Sequence, residues 1–250
     1  MLGWTKVVAQ KVRSIPREDY ELRASMMKNM YKGRTMYLIS CGPSISEVWC
    51  PELRQFLSDK LVVGVKQAQE LAPEIFDIHC FNHVRIQGYR HHPDTIVMSV
   101  YHPYWNRGTD VYFPLVHRAR HNESRWQKSL MVSKNWVDGE IEVNYPRPWG
   151  PGIVLELCIY LPTFFGCSEL VIFGWDMNEN DMQHFYKKDL FKRTGKAHYN
   201  NVLRECRTLP GAIPSLLEWW RSRGVKRVRL CSPRSALPIP QASVEEVLCG

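Results

Sequence analysis

The stretch Met36-Tyr-Leu-Ile-Ser-Cys-Gly-Pro-Ser-Ile-Ser-Glu-Val48 decides the fold. Its opening residues are apolar without alternation, as expected for a strand covered on both faces. Gly42-Pro43 ends that run, and Ser44 stands in N-cap position ahead of an amphipathic stretch predicted as a helix over 45–57. Strand, tight turn and helix in succession form the opening unit of a parallel α/β sheet.

The unit recurs on both sides. Leu61 to Val65 reads as a second strand, followed by a helix begun at Gln67 and stopped by Pro73. Ile75 to Phe81 and Ile96 to Val100 read as the third and fourth strands. After Pro151, a helix of small and aliphatic residues is predicted over 152–165. Leu170 to Phe173 is then a strand, closed by Gly174-Trp175-Asp176. A helix over 214–223 and a strand over 225–231 end the pattern and lead into Ser232-Pro233. The expected architecture is one Rossmann-like α/β domain over 36–240, a parallel sheet with helices on both faces. A basic helical extension over 1–35 precedes it, with Tyr20, Leu22, Met26, Met27, Met30 and Tyr31 as its apolar stripe, and a tail over 241–250 follows. The aromatic, Pro-containing stretch 102–150 is expected to be an irregular binding lobe, and about 177–210 a lid. Ligands in such folds bind beyond the carboxyl ends of the strands, where the unusual polar clusters of this sequence fall.

Composition narrows the class. The chain of 250 residues is 44% hydrophobic and 23% charged, which excludes a disordered chain. Its longest apolar run, Ile153 to Phe165, is too short for a membrane span and contains Pro162. Lys6, Lys11, Arg13 and Arg17 interrupt any secretory signal pattern, so a soluble cytoplasmic protein is expected. The eight cysteines include no CxxC pair and mostly sit in apolar runs, which predicts buried reduced thiols. His79 and His83 have the spacing of helix metal ligands but fall at a predicted strand end, so a zinc site is a minor option. The formal net charge of +8 favours an anionic partner. Arg221, Arg223, Lys226, Arg227 and Arg229 form one basic group, and Arg118, Arg120 and Arg125 a second.

Three clusters carry chemistry. Gly42, Pro43 and Ser44 at a helix start offer amides and a hydroxyl to an anion, or simply an N-cap. Around Gly150 and Gly152 a second helix start follows Arg147, a candidate fork for phosphate or carboxylate. From there the chain leads to Gly174 and Asp176 at the sheet edge. The last cluster, Arg227 to Leu237, places Ser232 and Ser235 after a strand.

In their order and spacing, YLISCGPSISEV, ELVIFGWDM and RLCSPRSAL resemble the bacterial CMP-sugar sialyltransferases of glycosyltransferase family 42. More broadly they resemble the GPS-turn superfamily that includes Kdo-transferase-like, motility-accessory and pterin-pyrophosphokinase-like proteins. The resemblance spans about 36 to 240. It implies a GT-A-type variant of the Rossmann-like fold with a lid, and metal-independent transfer from a CMP-sugar co-substrate. Gly42, Pro43, Ser44, Gly150, Gly152, Ser232 and Ser235 would line the nucleotide site, with Gly174 and Asp176 matching the family's Gly-x-Asp. Cys41 replaces an Asn before the turn, and Lys66-Gln67 replaces an Asn-Gln pair near the sugar. Phe81-Asn82 matches a Tyr-Asn, and Arg147 matches an Arg before the glycine-rich turn. The family's base, a His after the Asp, is matched by His184 or His198. Sialic acid and Kdo both fit as the sugar.

Inverting transfer needs a base on the acceptor hydroxyl, which a His near neutrality supplies. Charge on the departing phosphate would be met by Lys66, Arg147, Tyr186 or Tyr199. The acceptor implied is a glycan or another anionic molecule. The basic surface also leaves open a nucleic-acid acceptor and peripheral contact with an anionic membrane, while the oligomeric state stays open. A pyrophosphokinase-like enzyme on the same scaffold is the alternative. It would need Mg²⁺ and several carboxylates at strand ends, with Asp77 beside Asp176. A nucleic-acid or lipid-surface binder is the non-enzymatic reading.

Overall fold

The structure, a computed structural model, describes residues 3–81, 89–99, 108–113, 129–133, 141–147, 153–181, 185 and 190–250. Seven strands form one parallel sheet: β1 (Thr35–Ile39), β2 (Leu61–Val65), β3 (Ile78–Phe81), β4 (Ile96–Ser99), β5 (Val111–Tyr112), β8 (Glu169–Phe173) and β9 (Arg227–Cys231). Their order is β5-β4-β3-β2-β1-β8-β9. The chain winds outward from β1 to β5, then returns to the other side of β1 to lay down β8 and β9. That reversal puts the topological switch point between β1 and β8. The two pair in register from Thr35 opposite Glu169 to Ile39 opposite Phe173.

Alternation along the strands sorts the core into two layers. Met36, Leu38, Leu61, Val63, Ile78, Cys80, Leu170 and Ile172 face one layer. It is covered by α1 (Gly3–Ser14), by α2 (Tyr20–Ser25), by the 153–165 segment and by α6 (Leu190–Ser222). Tyr37, Ile39, Val62, Val171 and Phe173 face the other, covered by α3 (Ile45–Val48), α4 (Pro51–Leu57) and α7 (Val244–Cys249). The fold class expected from the sequence is the one observed. The described part of the amino-terminal segment, residues 3–34, forms a cover of the sheet, since Val8, Val12, Met27 and Tyr31 are buried in its core. The tail is tied in as well: Gln241 bridges to Leu230, and Val247 is buried under a Ser243–Glu246 capping box. Among the described residues no helix is long and apolar enough to cross a membrane.

Several boundaries differ from the sequence reading. The helix predicted over 45–57 is two helices broken at Trp49-Cys50, because a residue before proline is pushed out of the α region. Cys50 adopts φ −134°, ψ 165° and caps α4. The helix predicted over 152–165 has a wide π turn at Val154–Cys158, closed by Ile159 N–H to Val154 O at 3.0 Å, and then α5 (Leu161–Phe164). Pro162 withholds the amide that would continue a regular α ladder there. The stretch expected to be irregular adds β5 to the sheet and carries an antiparallel pair, β6 (Ser129–Ser133) and β7 (Ile141–Arg147). The helix expected from Pro214 begins at Leu190 and passes through Pro210 and Pro214, so 190–210 of the segment read as a lid is helical.

Six of the eight cysteines are buried and all are free thiols; Cys50 is half-buried and Cys249 exposed.

Candidate functional site at the switch point

Beyond the carboxyl ends of β1 and β8 the two chains stay zipped together. Ser40 N–H donates to Phe173 O at 2.8 Å, and Gly42 N–H to Gly174 O at 2.7 Å. Gly174 turns the chain with φ +65°, a conformation that penalises any Cβ. This turn aims Asp176 back across the crevice at the start of α3. There Ser44 N–H donates to Asp176 Oδ2 at 2.9 Å, and the Ser44 hydroxyl donates to Oδ1. A Cβ on Gly42 would lie 2.4 Å from Asp176 Oδ2 and 2.5 Å from Gly174 O, so only glycine fits. Asp176 is 3% exposed, and burial raises its pKa against the lowering by the Ser44 hydrogen bonds.

This arrangement corrects the reading of the turn as an open anion cradle. The amide and hydroxyl of Ser44 are satisfied by the chain's own carboxylate, and α3 has only four residues. Asp176, expected to be catalytic, clamps two loops that are 132 residues apart.

The third wall comes from the loop after β9. Ser232 Oγ accepts from Trp175 N–H at 3.1 Å, Ser235 Oγ donates to Trp175 O at 2.8 Å, and Ala236 N–H donates to Asp176 O at 2.9 Å. The two serines of the last cluster are thus spent on holding the Gly174–Asp176 turn. Arg234 pins the rim by pairing with Glu47 of α3 and with Asp181 at 2.7 Å. Nothing in the sequence links those three charges, which are far apart along the chain. Phe185 N–H donates to Cys41 O at 3.0 Å, which places Phe185 at the turn.

The fourth wall follows β2 and β3. Lys66 has φ +46°, unusual for a side chain with a Cβ, and Gln67 carries a buried Oε1 with no hydrogen-bond partner among the described residues. Cys41 packs beside them, its Sγ–H donating to Val65 O at 3.0 Å and its pKa pushed up to about 12 by burial. The sequence offers His79 only as a minor metal option with His83; it lies inside β3, fully buried, and both ring nitrogens are engaged. Nε2–H donates to Lys66 O at 2.9 Å. A neutral His79 then accepts at Nδ1 from His91 Nε2–H at 2.6 Å. Burial and the neighbouring His91 push the His79 pKa down to about 3, so the neutral form is the stable one. Tyr89 stacks edge-on against His79 with centroids 4.8 Å apart. The sequence reading missed His91 and Tyr89, whose HH pair and loop position carry no periodic signal. Among the described residues no His, Cys, Asp or Glu group has the geometry of a metal site.

Asp77, the second carboxylate of the kinase-like alternative, precedes β3 and accepts from Val62 N–H at 3.0 Å at the amino end of β2. It sits at the sheet edge opposite Asp176 and cannot share an ion with it. His83, His184, Asn82, Gly150, Gly152 and Tyr186 lie outside the described residues. For Arg147, His198 and Tyr199 the backbone is described: β7 ends at Arg147 and lies against α6, which bears His198 and Tyr199. The elements holding these three residues are therefore neighbours.

No protein-family model matches the chain, and no curated protein matches it. Among solved structures, the chain is similar to the MAf glycosyltransferase from Magnetospirillum magneticum AMB-1, at 14% identity and a TM-score of 0.46. The match covers 92% of this chain and 38% of that protein.

Proposed function

We propose that the chain is a glycosyltransferase that moves a keto-sugar such as sialic acid or Kdo from a CMP-activated donor to an acceptor hydroxyl. The observation that carries this reading is the union of its two motifs. Gly42-Pro43-Ser44 and Gly174-Trp175-Asp176 lie far apart in the chain yet hydrogen-bond directly at the switch point, where α/β sheets of this topology hold nucleotides. The carboxylate at the turn turns away phosphate and favours hydroxyl donors. The donor phosphate is then met on the β2 side by Lys66 and on the β7 side by Arg147. A histidine of the segment after Asp176, His184 or His198, takes the acceptor proton.

The test is a thermal-shift screen of CMP, CDP, UDP, GDP and ATP with and without Mg²⁺, followed by release of CMP from CMP-sialic acid and CMP-Kdo. CMP at 100 times its dissociation constant is expected to add about 2.7 kcal/mol of stability without metal. Stabilisation by ATP with Mg²⁺ alone would replace this reading with nucleotide-kinase chemistry.

A further inference from the structure

The amino-terminal edge of the sheet, opposite the crevice, carries a second concavity of about 430 Å³. Its walls are the three loops that feed β1, β8 and β9. Lys28 and Lys32 come from the first and Arg223 and Lys226 from the third, with Asn29 and Thr163 between them. We propose that this cavity binds a small phosphoanion, of the pyrophosphate or phosphomonoester class, at a site separate from the crevice.

The floor is built. Asn29 N–H donates to Phe164 O at 2.9 Å, Gly33 N–H to Gly166 O at 2.8 Å, Ser168 N–H to Arg34 O at 3.0 Å and Lys226 N–H to Ser168 O at 2.7 Å. Asn29, Gly33, Gly166 and Gly224 all take left-handed backbone, so each loop is bent sharply to make the bowl. A Cβ on Gly166 would come within 2.9 Å of Asn29 Oδ1. These loops spend their peptide groups on one another, and recognition falls to the side chains.

Those side chains have one sign. Four cations line the cavity and no carboxylate does. Glu169, at the start of β8, is held by Arg227 and Arg229 at 3.9 and 3.8 Å. A sphere of that volume is about 9 Å across, within the ~10 Å screening length at 0.1 M salt. Lys32 and Lys226, from the loops before β1 and β9, therefore bring like charges to one bowl whose lining holds no carboxylate, and a compact multivalent anion is favoured there. Phosphate oxygens suit the set, since Arg offers a planar fork and Lys a compact point charge from separate loops. The volume is at the small end of ligand sites, which suits a diphosphate or a phosphorylated headgroup.

The test is calorimetric titration of inorganic pyrophosphate into the full chain at low salt, with sulfate as comparison. Lys32→Gln/Lys226→Gln is expected to weaken pyrophosphate by ~10-fold or more, while Lys66→Gln in the crevice leaves it unchanged. Both substituted lysines of the double variant are exposed, so its melting temperature is expected to match the wild type. Equal affinity in the double variant, loss in Lys66→Gln, or a wild-type dissociation constant above ~10 mM would each overturn the proposal. Phosphatidylcholine vesicles doped with phosphatidic acid separate two sources of the same chemistry. Sedimentation with them that the double variant loses assigns the site to a lipid headgroup. Pyrophosphate binding without sedimentation assigns it to a soluble phosphate.

Discussion

Gly42→Ala tests the clamp at the switch point. The new methyl would sit 2.4 Å from Asp176 Oδ2 and 2.5 Å from Gly174 O. The first neighbour is a side chain that can swing, but only by giving up the bond that Ser44 N–H makes to Oδ2 at 2.9 Å. The second is backbone locked in the β1–β8 zipper by Gly42 N–H at 2.7 Å. Losing one hydrogen bond to a charged group costs about 1.5–3 kcal/mol, and overpacking adds about 1–3 kcal/mol. The variant is therefore expected to lose about 3–5 kcal/mol, or roughly 10 °C of melting temperature at this chain length. Scanning calorimetry reads the loss. A double-mutant cycle with Asp176→Gly isolates the clash with the carboxylate, with an expected coupling of about 1–2 kcal/mol and the backbone clash remaining. A melting temperature within about 2 °C of wild type would refute the geometry of the turn.

Asp176→Asn keeps the shape of the clamp and removes a buried charge. The folded-state pKa of Asp176 is raised, so ionisation lowers stability as pH rises above the unfolded value, and the Asn variant is expected to melt no lower than wild type at pH 8. His79 works in the opposite sense. Its folded pKa is depressed to about 3, so stability is complete above the unfolded value near 6.5 and falls with pH below it, by about 2 kcal/mol at pH 5. In His79→Gln that loss between pH 6.5 and 5 is expected to disappear, as read by urea melts at each pH. Arg147→Ala is expected to cut CMP-sugar turnover by ~10²-fold with the melting temperature kept. Of the two histidines that follow Asp176, His198→Ala is expected to cost ~10²- to 10⁴-fold and His184→Ala less, by the same assay with CMP affinity measured alongside.

Much of the sheet was legible because a doubly covered strand writes its burial into consecutive residues. Tyr37 to Ile39, Leu61 to Val65 and Leu170 to Phe173 read as strands from apolarity alone, and the turn after each was marked by Gly or by a polar switch. Long-range pairing left no such trace. That Ser44 donates to Asp176 follows only from the strand order, which puts β8 beside β1. Proline was read unevenly. The helix expected over 45–57 ran through Pro51, which breaks it, whereas Pro210 and Pro214 lie within α6, where Leu209, Ile213, Leu216 and Trp220 are buried and packing outweighs the lost backbone bonds. The pair of buried His79 and half-buried His91 was invisible because the acceptor of His79 is a main-chain oxygen, Lys66 O, whose position depends on a left-handed residue.

The clamp also constrains how a nucleotide can lie in the crevice. A phosphate about 4 Å from the Asp176 carboxylate would be repelled by roughly 4 kcal/mol at an effective dielectric of 20, more than one hydrogen bond returns. Each carboxylate oxygen that accepts from Ser44 keeps a second lone pair, which suits a hydroxyl donor from ribose or sugar. The wall after β2 has the opposite character. Lys66 precedes Gln67 there, and the buried Gln67 Oε1, which lacks a partner among the described residues, accepts readily from an amine or hydroxyl. Under the proposed function, a donor would lie with its hydroxyls toward β8 and its phosphate toward β2. Reversing the charge at Lys66 would then weaken a nucleotide monophosphate more than the corresponding nucleoside, a difference that separates this orientation from its reverse.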